Sequence, residues 1–212
     1  MAKELTESTI MHTLDWAYEK AVDGVPGFDS ASELADDYSA RDEDPITQVN
    51  SLIRVQNTKA GASGFVTGLG GIVTMPIAIP ANITSVIFVQ VRMIAAIAHM
   101  GGYDLQDDGV KTMVYTCLIA NAGTDILKDM GIVVGTKLTT NAIKSISGKT
   151  ITAINQKVGF RLLTKFGEKG VVNLGKAVPL VGGVIGGTVD AIATDTIGNI
   201  ARDTFIKNNE KV

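Results

Sequence analysis

The chain has 212 residues, of which 45% are hydrophobic but only 5% aromatic, with 23 glycines; a core of this size must be built from small and aliphatic side chains. Nineteen Lys and Arg against 22 Asp and Glu give a net charge of -3, and no clustered basic stripe interleaved with aromatics stands out, which argues against nucleic acid as a partner; a polybasic membrane patch is also missing. The lone Cys117 excludes an internal disulfide and a multi-cysteine metal site and fits a reducing cytosol.

The first residues, MAKELTESTIMHTLDW, carry acidic groups early and no continuous apolar run, so they do not read as a signal peptide and a cytoplasmic location is expected. A first amphipathic helix is predicted from about Ser8 to Val22, with Ile10, Leu14, Ala17 and Ala21 on one face and Gly24 as its stop. A short second helix follows Asp29, where Ser30 and Glu33 have capping-box spacing. After the acidic linker SARDEDP, Asp44 as N-cap and Pro45 at the first helical position begin a third helix, with Ile46, Val49, Leu52 and Ile53 facing inward.

That helix leads into a glycine-rich run in which Gly64 and Gly68 have the spacing that lets helices pack almost backbone to backbone. Pro76 and Pro80 make GLGGIVTMPIAIP a broken helix or re-entrant turn, and helix resumes from about Ala81 to Met100, ended by Gly101 and Gly102. Residues 72–100 are mostly apolar over a length that could span a bilayer, but Pro76, Pro80, Asn82, Gln90 and Arg92 interrupt them, and an arginine near the centre of a span costs roughly 2.5–3.5 kcal/mol. A buried core helix is favoured over a membrane-associated segment.

Asp107 or Asp108 then caps a core helix predicted to reach Asp129. Residues 131–149 are richer in β-branched residues and glycine, so a short strand or irregular connection is expected before helical period returns from Ile151 to Phe166. The closing segment is a second glycine-rich helix, with Gly182 paired to Gly186 and Gly183 to Gly187.

The predicted fold is therefore all-α, a helical bundle with two glycine-zippered helical hairpins, in which residues 1–44 form N-terminal helices at the periphery and 45–212 the core. The polar groups Gln90, Arg92, Asp190 and Asp195 sit on otherwise apolar helices. They read either as a polar pocket at a helix crossing or, favoured, as satisfied internal pairs, with Arg92 bridging Asp190. Asp104, Asp107 and Asp108 form a weak cation candidate whose plainer reading is helix capping. His12 and His99 are too few for a His-rich metal site, Cys117 reads as a small core residue, and neither GLGG nor GIVVGTK fits a phosphate-binding loop. No catalytic residue, metal or cofactor is assigned.

The block GFVTGLGGIVTMPIAIPANITSVIFVQVRMIAAIAHMGGYDL and the block VPLVGGVIGGTVDAIATDTIGNIARDTF, with the opening WAYEKAVDGV, resemble the EcsC family of bacterial proteins. The resemblance covers most of the chain as one domain. It implies association with ABC export and membrane processes, without an established biochemical activity. It also marks Asp190 as a departure, since asparagine is expected there in many relatives. The function expected is a non-enzymatic cytoplasmic helical module at the inner membrane or a membrane protein complex such as an ABC exporter, supporting export or envelope homeostasis. A lipid-handling or hydrolytic enzyme with a pocket between the hairpins, and a membrane-inserting effector, stay open as alternatives.

Overall fold

The computed structural model describes residues 5–60, 79, 81–132, 139–166 and 182–206, apart from the side chains of residues 59–60, 81–82 and 182–192. Within them the chain forms nine helices: α1 (Glu7–Asp23), α2 (Ala31–Ser39), α3 (Pro45–Ala60), α4 (Ala81–Met100), α5 (Asp108–Leu118), α6 (Asn121–Asp129), α7 (Thr140–Lys144), α8 (Gly148–Phe166) and α9 (Gly182–Phe205). The only β pairing among the described residues is an isolated bridge between Val25 and Phe28, so the fold is all-α.

Local chemistry explains most boundaries. Ser30 and Glu33 form a reciprocal capping box at the start of α2, and the Ser30 N–H holds the Glu33 carboxyl below its ordinary range. Asp44 accepts from the Ile46 and Thr47 N–H groups and so satisfies the first orphan donors of α3. Gly102, with φ of +80°, turns the chain out of α4.

The bundle is organised around α4. Ile87 through Ala98 are all buried, because a helix apolar on every side finds cover on every side. Helices α1, α2, α3, α5 and α9 all pack on it. The stretch Ile83–Met100 is long and apolar enough to cross a membrane, yet 78% of it is buried within the protein. The N-terminal helices are not peripheral as expected: α1 buries Ile10, Leu14, Ala17, Tyr18 and Ala21, and it shares with α4 one of the largest interhelical contacts of the fold.

A further expectation is corrected. The helix predicted to run from Asp107 to Asp129 is two helices, broken at Ile119 and Ala120, where Ala120 takes φ of +50°. The corner is tight because Gly123 lies directly on the Thr116 carbonyl, where a Cβ has no room. Of the stretch 131–149, expected to be a short strand or irregular connection, residues 133–138 lie outside the described residues; within the rest, Thr139 caps the short α7 by accepting from the Ala142 N–H at 3.2 Å. The β-branched residues there that suggested extended chain include this cap.

Candidate functional site

Three helices set the frame for the polar residues. Helix α3 runs antiparallel to α9, as Asn50 meets Arg202, Ile53 meets Gly198, and Asn57 meets Asp195. Helix α9 runs parallel to α4, with Gln90 against Thr194 and Tyr103, just beyond α4, against Phe205 at 5.1 Å between ring centroids. These registers carry polar side chains from all three helices to one level of the bundle.

Arg92 lies at that level and is 2% exposed. Its Nη1 donates to the Asp29 carbonyl at 3.0 Å and its Nη2 to Gln56 Oε1 at 3.4 Å, while Nε meets no acceptor. The rings of Phe28 and Phe88 stand 5.5 and 5.9 Å from the guanidinium carbon and provide cation–π support. Burial pushes the Arg92 pKa down, and the nearby Asp29 charge partly offsets this. Among the described residues no carboxylate comes within ion-pair distance of Arg92. The side chain of Asp190, its expected partner, lies outside them.

Gln90 Nε2 donates to Thr194 Oγ1 at 3.1 Å in the core. Asp195 is exposed and accepts from Asn57 Nδ2 at 2.9 Å and from Asn199 Nδ2 at 3.0 Å. The polar groups singled out from sequence are thus divided among separate partners: Gln90 pairs across to α9, Arg92 to α3 and the α1–α2 loop, and Asp195 to the outer edge of α3. Sequence reasoning missed Gln56 and Asn57. Gln56 lies four residues after Leu52 and three after Ile53, on the apolar stripe of α3, and that position was the available signal.

On the outside of the α3–α9 pair lies an open groove of about 510 Å³, lined by Asn50, Arg54, Asn57, Asp195, Asn199 and Arg202 among others. Arg202 donates to Asn50 and to Asp203, while Arg54 is exposed. The groove offers donors and acceptors suited to binding. Thr58, its hydroxyl, donates back to the Arg54 carbonyl at 3.0 Å, as a helical threonine does, and is not aligned on a base.

The remaining sequence-nominated groups have local roles. Asp107 caps α5 through the Gly109 and Val110 N–H groups, and Asp104 closes a turn onto the Gln106 N–H at 2.9 Å. Among the described residues no group of three His, Cys, Asp or Glu side chains has a metal-holding arrangement. His99 stands 3.8 Å from Asp36. Cys117 is buried with its thiol pushed up to about 12 by burial, as befits a core residue. A second polar cluster, unforeseen from sequence, joins α1 to α5: the Tyr115 hydroxyl donates to Asp15 at 2.9 Å, and Lys111 pairs with the same carboxylate at 2.8 Å.

Of the spaced glycines, Gly64 and Gly68 lie outside the described residues. Gly182, Gly183, Gly186 and Gly187 fall in the first turns of α9, and their packing also lies outside them. Between α3 and α9 the close approach falls at Gly198, where an added Cβ would stand 2.8 Å from Ile53 Cγ1.

These features define an all-α bundle folded around one largely buried apolar helix, with polar side chains locked between helices and an open polar groove on one flank. The EcsC protein family model matches residues 33–207, and the chain belongs to that family. No curated protein matches the chain, and neither does any solved structure.

Proposed function

We propose that this chain is a non-catalytic cytoplasmic module that associates with the inner membrane or with a membrane protein complex and supports export or envelope homeostasis. The observation that carries the reading is the disposition of the polar groups. Arg92, Gln90, Tyr115 and Asp15 are held by neighbouring elements rather than converging on an apolar pocket, and the polar side chains on the flank of α3 and α9 line an open groove suited to docking. Most of α4 is covered by the other helices rather than left for lipid. The apolar glycine-rich sequences that adjoin α3, α4 and α9 supply the part suited to lipid or to partner helices.

Flotation of the purified chain with vesicles of native lipid composition, at low and high salt, tests this. Salt-resistant co-flotation is expected, because apolar contact is not screened. A chain that stays at the bottom of the gradient at both salt concentrations, and that does not co-purify with membranes from cells, overturns the reading.

A further inference from the structure

Between Asp129 and Glu168 the sequence contains six Lys and Arg residues and no Asp or Glu, in a chain whose net charge is -3. The helix that dominates this stretch is α8, which carries Lys149, Lys157, Arg161 and Lys165. We propose that α8 is a docking helix for an anionic lipid surface, with these cations on the headgroups and Phe160 as the apolar contact. The proposal rests on the membrane-associated reading above and specifies its surface.

The packing of α8 fixes which face is free. Ile154, Val158, Gly159 and Leu162 are buried, and α8 packs on α1, α5 and α6. A Cβ at Gly159 would stand 3.0 Å from Glu7 Cγ and 3.2 Å from Met11, so that side of the helix lies hard against α1. By helical period Lys149 and Phe160 lie opposite these buried residues, and Lys157 and Arg161 flank them. Lys157, Arg161 and Lys165 follow one another at steps of four, which brings together charges that lie apart in the linear sequence. This corrects the expectation that no basic patch exists.

Beside that stripe Phe160 is 57% exposed; Val55 is the only other large hydrophobic side chain exposed among the described residues. Lys157 pairs with Asp129 at 3.5 Å, and both side chains remain substantially in solvent. Arg161 and Lys149 are exposed and make no ion pair among the described residues. Arg161 and Lys165 also line a groove of about 440 Å³ whose walls include Leu118, Ile119, Ala193 and Ile197. An apolar groove beside two cations fits an acyl chain below an anionic headgroup. A helix lying in the interface with basic residues flanking an exposed aromatic has the features that bind anionic bilayers.

The test compares vesicles rich in phosphatidylglycerol with vesicles of pure phosphatidylcholine, using the full chain at low salt. The native chain is expected to bind the anionic vesicles more tightly, and salt to remove that difference. The double substitution Lys149→Gln with Arg161→Gln should weaken binding to the anionic vesicles about thirtyfold, each basic residue near the surface contributing about fivefold. Phe160→Gln should weaken it separately. All three positions are exposed, and an unchanged melting curve certifies that the variants fold. Equal binding of the native chain to both vesicle types, or undiminished binding of both variants, overturns the assignment of α8; the module reading survives that result if salt-resistant flotation persists. Loss of salt-resistant flotation with α8-dependent anionic binding intact would instead sink the apolar contact on which the module reading rests. Capture of RNA by α8 with no binding to anionic vesicles overturns the lipid assignment.

Discussion

Arg92 and Gln56 meet in the centre of the bundle, Nη2 to Oε1 at 3.4 Å, and each is left with a nitrogen that has no partner. Removing the arginine alone strands Gln56, because Gln56 has no other side-chain hydrogen bond and is 0% exposed. Arg92→Met is therefore expected to cost about 1–3 kcal/mol, the penalty of an unsatisfied buried polar group. Adding Gln56→Leu should return the chain to native stability or above it, since both partners of a desolvated polar contact are then gone. Urea unfolding of the two single variants and the double variant measures this coupling. Additive losses would mean that the contact is not shared.

The crossing of α3 and α9 rests on Gly198, which faces Ile53 with no space for a methyl group. Gly198→Ala gains helix propensity of about 1 kcal/mol in an exposed setting, but here overpacking, typically 1–3 kcal/mol, should prevail. Net destabilisation is expected, and Gly198→Ala should cost less in an Ile53→Ala background, because all three short distances are to the Cγ1, Cγ2 and Cδ1 atoms that Ile53→Ala removes. Thermal denaturation of the single and double variants gives the answer. A more stable Gly198→Ala variant would mean that the helices separate freely.

How much of this was legible in the sequence depends on how local the determining contact is. The Ser30 and Glu33 box, the Asp44 cap before Pro45 and the end of α4 at Gly101 were readable because each is written within a few residues. The break at Ala120 was not, because apolar residues of α5 and α6 both face the core and their combined pattern imitates one longer helix. The pairing of Asn57 with Asp195 joins positions 138 apart, and nothing local encodes the register that brings them together. The basic stripe of α8 is diluted in linear sequence by the very apolar residues that bury its other face.

Tyr18 and Tyr115 predict a specific alkaline response. Burial pushes both phenols above their ordinary 10.0, with the charges of Asp104 and Asp15 respectively adding to the effect, and Cys117 rises from 9.0 to about 12 by burial. The folded chain therefore keeps protons that the unfolded chain releases, so the unfolded state binds fewer and stability must fall as pH rises above 9.0. Phenolate absorbance should show both tyrosines titrating only as the protein unfolds. Cys117→Ala should move the onset of the decline upward, toward the ordinary phenol value of 10.0. A stability that is flat across this range would refute the burial of all three groups.

Ala120 is the one described residue other than glycine with positive φ, at φ of +50° and ψ of -128° between α5 and α6. That backbone region penalises a Cβ and suits glycine, so Ala120→Gly should stabilise the chain by about 1 kcal/mol, strain relief exceeding the added freedom of the unfolded state. A control separates this from a general effect of glycine. Ala153 lies inside α8 with ordinary helical geometry, and Ala153→Gly should lose about 1 kcal/mol. Opposite signs for the two substitutions, read from urea midpoints, locate the strain at the α5–α6 corner. A loss at both positions would show that the corner relaxes to a geometry alanine accepts, and the wall that Ala120 gives to the groove beside Arg161 would then be adjustable rather than fixed.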